Sequence, residues 1–140
     1  MNRLLLLPAV LLLVVGARAD ELPYRRYTVA DGLPNEDVYA LTQAADGRLY
    51  AGTSSGLGVY NGHTFREVVL PDSIGAVGVF HLTADRRSVW AVAGNDWVLK
   101  VRAGRVTRVL PRIPGAECLL RRGDTLHIVA RRTYWTLRPG

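Results

Sequence analysis

The stretch Gly32–Val69, GLPNEDVYALTQAADGRLYAGTSSGLGVYNGHTFREVV, decides the fold. Val38-Tyr39-Ala40-Leu41-Thr42 alternates between polar flanks, as a buried inner strand does. Asp46-Gly47 follows and predicts a tight hairpin turn with both central residues at positive φ. Leu49–Gly52 returns antiparallel, and Thr53-Ser54-Ser55-Gly56 turns the chain again. Leu57–Tyr60 makes a third strand, Asn61-Gly62 another tight turn, and Thr64–Val69 a fourth, outer strand. No segment after the first 19 residues keeps a 3.6-residue apolar period over three turns, so the reading is all-β.

Leu33-Pro34 recurs as Leu70-Pro71 and Leu110-Pro111, at steps of 37 and 40 residues. Each copy is preceded by a β-prone piece: Tyr27–Val29, Phe65–Val69 and Val106–Val109. Each is followed by a run of small and β-branched residues: Val38–Thr42, Val77–Thr83 and Ala116–Leu120. A turn comes next, at Asp46-Gly47, Asp85-Arg86 and Gly123-Asp124, and then a short apolar strand: Leu49–Ala51, Val89–Val92 and Leu126–Val129. Four short strands joined by hairpins and repeated about every 40 residues make the pattern of a β-propeller blade.

The same residues resemble the two-component regulator propeller repeat. Gly32-Leu33-Pro34-Asn35 with Val38, then Asp46-Gly47 with Leu49-Tyr50, Gly52-Thr53 and Gly56-Leu57, then Tyr60-Asn61-Gly62 carry the likeness. Tyr50 stands where that repeat usually has Trp, and Trp90 takes the aromatic position in the second copy. The likeness is specific over 31–68 and partial over 69–140. It implies the periplasmic input module of a membrane-bound histidine kinase or diguanylate cyclase, sensing an extracytoplasmic cue such as a carbohydrate. In that family a β-sandwich, a transmembrane helix and the output domain follow the propeller.

The expected organisation is therefore a signal peptide at 1–19 and a partial propeller at 20–140. Its repeats cover about 31–69, 70–109 and 110–140, with 24–29 as a ring-closing outer strand. Arg3, the apolar run Leu4–Val15 and the small-x-small triplet Ala17-Arg18-Ala19 read as an export leader, and the run is too short to span a membrane. Three blades do not close a ring. The last repeat shows strands at 116–121, 125–130 and 134–138 and stops before a fourth. The expected partners are therefore missing C-terminal blades or a second copy of the chain. The alternative to a sensor portion is a freestanding exported binding module or scaffold, possibly glycan-binding, that closes its ring by oligomerisation.

Composition narrows the chemistry. The 140 residues hold 18 Lys+Arg and 12 Asp+Glu, a net charge of +6, and are 49% apolar, which fits one domain. The charge is lopsided: residues 20–85 hold 4 basic and 9 acidic side chains, whereas 86–140 hold 12 and 3. A basic half suits an anionic glycan or membrane surface, or is a solvated face, and export makes nucleic acid a poor partner. A single cysteine, Cys118, excludes an intrachain disulfide and reads as a small core residue.

Catalytic and cofactor constellations are not found. Gly52-Thr53-Ser54-Ser55-Gly56 matches G-x-S-x-G, yet a strand follows it where a nucleophile elbow needs a helix. His63, His81 and His127 lack ligand spacing, and Glu36-Asp37 point apart on extended backbone. The reading is no enzyme, no cofactor and no metal. Tyr50 and Trp90 are expected between blades. Trp97 and Trp135 fall off that pattern and are the candidate sugar-stacking residues, with Asn95 and Arg131 as polar partners, joined by Asp96 and Arg132.

Overall fold

The computed structural model describes residues 23–138, so the leader expected at 1–19 lies outside the described residues. The described chain is all-β, an incomplete propeller-like fold. Blade 1 is β1 (Val38–Gln43), β2 (Leu49–Thr53), β3 (Gly56–Tyr60) and β4 (Phe65–Val68). Blade 2 is β5 (Val79–Ala84), β6 (Val89–Ala93), β7 (Trp97–Arg102) and β8 (Arg105–Val109). Blade 3 is β9 (Ala116–Arg122), β10 (Thr125–Ala130) and β11 (Thr133–Leu137). Each sheet is an antiparallel meander in chain order, four-stranded twice and three-stranded last, and none closes on itself. Neighbouring blades meet along their first strands, β1 with β5 and β5 with β9.

Register explains the burial. On β2 and β3, Tyr50 and Val59 pair directly, as do Gly52 and Leu57, and this face turns toward blade 2. Leu82, Val89, Ala91, Leu99 and Val101 answer it from blade 2. Trp90, Val92 and Val98 lie on the other face of the same sheet and pack on Leu119, Leu126 and Ile128 of blade 3. The middle sheet is thus apolar on both faces, and its β6, Val89–Ala93, is buried at every position. A strand buried on both sides reads as a continuous apolar run, which is what Val-Trp-Ala-Val-Ala is. Burying each such side chain contributes about 1.5–3 kcal/mol.

The turns correct one expectation. Gly47 has φ +84°, but Asp46 is not at positive φ. Gly47 N–H donates to Ala44 O at 2.9 Å and Ala44 N–H to Arg48 O at 2.9 Å, so the turn runs over four residues. One left-handed glycine suffices there, and the Asp46 carboxylate accepts the Arg48 N–H at 3.1 Å. The two-residue turn with both centres at positive φ appears instead at Ala103 (φ +50°) and Gly104 (φ +74°), between β7 and β8.

All three first strands carry a β-bulge at the same place. Register slips by one residue between Val38 and Ala40, between Val79 and His81, and between Ala116 and Cys118. The extra residues are Tyr39, Phe80 and Glu117.

The segment expected as a ring-closing strand over 24–29 pairs with no strand among the described residues, and Val29–Asp31 forms a 3-10 turn. Its residues lie over blade 1 instead. Tyr27 meets the Tyr60 and Phe65 rings edge-on at 5.2 and 5.5 Å, and its hydroxyl hydrogen-bonds that of Tyr60 at 2.8 Å. The Asp31 carboxyl accepts the Thr28 N–H at 2.9 Å, which holds its pKa below the usual value. Two blade faces stay open. On blade 1 a groove of about 300 Å³ is lined by Tyr27, Leu33, Leu41, Leu49, Tyr60 and Phe65, almost wholly apolar. On blade 3 the open face presents Leu120, Val129 and Tyr134. No helix among the described residues is long and apolar enough to cross a membrane.

Candidate functional site

Antiparallel meanders put their connections at two rims. The turns β2–β3, β6–β7 and β10–β11 share one rim with the loops between blades, and there blades 2 and 3 frame a cleft of about 510 Å³. It is lined by Asn95 and Asp96 of the β6–β7 turn, Pro114 and Gly115 of the loop before blade 3, and Arg131 to Thr133 of the β10–β11 turn.

Asp96 ties these elements together. Its Oδ2 accepts Arg112 Nε at 3.0 Å, its Oδ1 accepts the Gly115 N–H at 3.2 Å, and its own carbonyl accepts the Ile113 N–H at 2.9 Å. The Arg112 guanidinium and then the Gly115 N–H hold the Asp96 carboxyl below the usual carboxylate range. Gly115 O in turn accepts the Arg131 N–H at 3.1 Å, and Arg131 Nε reaches Glu117 Oε1 at 3.3 Å. Asn95 stands at φ +60° at the tip of its turn, a left-handed conformation that Asn tolerates. Its side chain is exposed, as is that of Arg132, which forms no ion pair among the described residues. The cleft thus offers an amide and two guanidinium groups.

The bulges add an apolar element to this rim. Tyr39 and Phe80, 54% and 40% exposed, stand 5.2 Å apart with tilted rings. The third bulge residue is Glu117, the partner of Arg131, so the three bulges place an aromatic pair and a cleft-side carboxylate on one rim.

Of the four candidates named from sequence, Asn95 and Arg131 meet across this cleft, and the two tryptophans do not line it. Trp97 lies half-buried against the core between blades 1 and 2. Trp135 sits on β11, 49% exposed. The sequence reading did not single out Pro114, Gly115 and Thr133, nor the Tyr39–Phe80 pair. Exposed aromatics inside strands are the signal that leads to that pair.

The remaining motifs fall into place locally. Ser54 N–H donates to Asp37 O at 3.0 Å, Thr53 Oγ1 donates to Gly56 O at 3.0 Å, and β3 follows directly. Gly52–Gly56 is thus a strand–strand turn. Cys118 is half-buried beside the axis and not in the core; its Sγ lies 3.9 Å from His81 Nε2, which donates to Leu119 O at 2.8 Å. The bulge at Glu117 sets Cys118 on the open face of β9, opposite Val129. Among the described residues no three His, Cys, Asp or Glu side chains gather as metal ligands.

No protein-family profile matches the chain, and no curated protein does. The fold is similar to the extracellular domain of BT4673 from B. thetaiotaomicron, named a one-component system in one structure and a hybrid two-component system in another. The TM-score is 0.60 at 19% identity, over 73% of this chain and 14% of that one. The chain therefore spans about one-seventh of that domain's length. The computationally designed protein Ika4 is similar over 74% of this chain and 66% of its own, with a TM-score of 0.56 and 18% identity.

Proposed function

We propose that this chain is the ligand-sensing propeller portion of a membrane-bound signal-transduction protein of the histidine kinase or diguanylate cyclase type. In this reading it works in the periplasm, performs no catalysis and relies on an output domain elsewhere. The observation that carries the reading is the polar cleft of Asn95, Arg131 and Arg132, on the rim that also bears the exposed aromatic pair Tyr39–Phe80. A flat apolar face beside a few fixed polar groups recognises small polar ligands with apolar faces, carbohydrates among them. The fold likeness to extracellular sensor domains supports the same reading. A ligand bridging the seam between blades shifts the protein by binding one blade arrangement better than another.

The open faces at Leu41 and Val129 favour completion by further blades. They also favour the second reading, a freestanding module whose copies pair to close a ring, and gel filtration with light scattering separates monomer from dimer. The function itself is tested by calorimetric titration with neutral and acidic oligosaccharides. Saturable binding that is lost in both Tyr39→Ala and Arg131→Ala is expected; binding that survives both removes this rim as the site. Alkaline phosphatase fused after residue 138 is expected to be active only when residues 1–19 are present.

A further inference from the structure

The rim opposite the cleft carries the turns β1–β2, β3–β4, β5–β6, β7–β8 and β9–β10 and the end of β11. Adjacent blades are aligned there: Arg121 at the end of β9 pairs with Asp85 at the end of β5 at 2.7 Å, and Gly104 of the β7–β8 turn donates to Tyr50 Oη at 3.0 Å. The lopsided charge of the sequence becomes a spatial one. This rim holds eight arginines against three aspartates, whereas the turns and between-blade loops of the cleft rim hold Arg112, Arg131 and Arg132 against Asp72 and Asp96. All three aspartates are already paired within the rim, Asp46 with Arg48 and both Asp85 and Asp124 with Arg121. Six arginines are exposed and form no ion pair among the described residues: Arg86, Arg87, Arg102, Arg105, Arg122 and Arg138.

The second observation is in the register of blade 2. Arg102 stands directly opposite Arg105 across the β7–β8 turn, and Lys100 opposite Arg108 two residues further along β7, beyond a bulge at Thr107. Like charges facing each other across a ladder destabilise a sheet. Each such pair costs the hairpin a little stability, which an external anionic surface would relieve. The arginines are spread over the tips of several hairpins and do not converge on a pocket: the concave surfaces at this rim take in only Arg48, or Arg105 with Arg66. A spread of point charges on one rim matches a planar anionic surface better than a compact anion.

We propose that this arginine rim docks the propeller on the anionic phosphate headgroups of a lipid bilayer, leaving the cleft rim turned away from the membrane. The inference is independent of ligand binding, since it uses other residues and another readout.

The test is co-sedimentation of the full chain with vesicles of phosphatidylcholine alone or with about one-third phosphatidylglycerol. The apolar leader is common to every variant, so its contribution cancels. Binding is expected to rise with phosphatidylglycerol and to fall with salt as the charges are screened. Arg102→Ala/Arg105→Ala is expected to weaken it roughly 25-fold, about fivefold for each arginine removed. Arg102→Lys/Arg105→Lys should keep it. Arg131→Ala/Arg132→Ala, on the other rim, should leave it unchanged, with circular dichroism confirming the fold of each variant. Equal losses from variants on both rims would reduce the effect to net charge and overturn the proposal. So would indifference to phosphatidylglycerol, or rim-dependent binding to dextran sulfate with none to vesicles, which would assign the rim to a polyanionic glycan.

Discussion

The seam between blades 1 and 2 and the seam between blades 2 and 3 are built on the same register but solve the same problem differently. At the first, Tyr50 fills the gap between sheets, 1% exposed, and its hydroxyl accepts the Gly104 N–H of the next blade at 3.0 Å. Burial pushes the Tyr50 phenol above its usual pKa, which keeps it protonated. At the second, Trp90 takes the same position with more apolar surface, and its Nε1 finds no hydrogen-bond partner among the described residues. Lys100 Nζ lies 5.2 Å from the Trp90 ring centre on the same seam. At the first seam the aromatic carries its own polar latch to the next blade; at the second it supplies volume, and the polar links come from elsewhere, His81 to Leu119 O and Arg121 to Asp85. A buried donor without a partner costs about 1–3 kcal/mol, so the larger indole offsets its own penalty by area alone.

That contrast can be broken most sharply at Trp90. Trp90→Ala is expected to lower stability by about 3–5 kcal/mol, read from urea unfolding, with Trp90→Phe costing far less because it also removes the unpartnered N–H. An equally large loss in Trp90→Phe would show that the indole nitrogen has a partner in solution. The first seam has its own weak point at Gly52, where a built Cβ would lie 2.5 Å from Val79 O. Gly52→Ala should cost about 1–3 kcal/mol by forcing β5 away, and hydrogen exchange should rise along β5 while β10 stays protected. Tyr50→Phe is expected to cost about 0.5–1.5 kcal/mol, the value of one hydrogen bond. The smallest effect concerns the loop that closes the second seam. The native Asp96 carboxyl titrates below its unfolded value of 3.8, so its contribution is present above that value and lost as pH falls through the native pKa. Asp96→Asn should therefore lower the plateau slightly and flatten the acid limb below it, the two stability profiles converging as pH falls through the native pKa in urea unfolding followed against pH.

The strand order of blade 1 was legible because each of its turns carries its own residue signal, but β1, expected as a buried inner strand, exposes Val38, Tyr39 and Leu41 because no blade covers that face among the described residues. Blade 3 was legible from its strand limits, expected at 116–121, 125–130 and 134–138 and found at 116–122, 125–130 and 133–137. The cleft was only half legible. Asn95 and Arg131 could be guessed from composition, but Pro114 and Gly115 join them only because Asp96 draws the loop before blade 3 onto the β6–β7 turn. A side-chain tether between turns about 20 residues apart leaves no pattern in spacing. The tryptophans misled for a physical reason: Trp97 stands on the face of β7 that meets blade 1, where a large aromatic gains most from burial. Tyr39 and Phe80 were hidden by the bulges, since an alternating reading gives every strand residue one of two faces.

Those bulges have a consequence for how such a protein can change over time. A residue squeezed out of the pairing belongs to neither flank of its sheet, so replacing it leaves the packing between neighbours intact. Tyr39, Phe80 and Glu117 already differ in size, aromaticity and charge on an otherwise repeated frame. Each blade thus contributes one freely editable letter at the cleft rim, and the surface chemistry there can be rewritten at little cost to the scaffold.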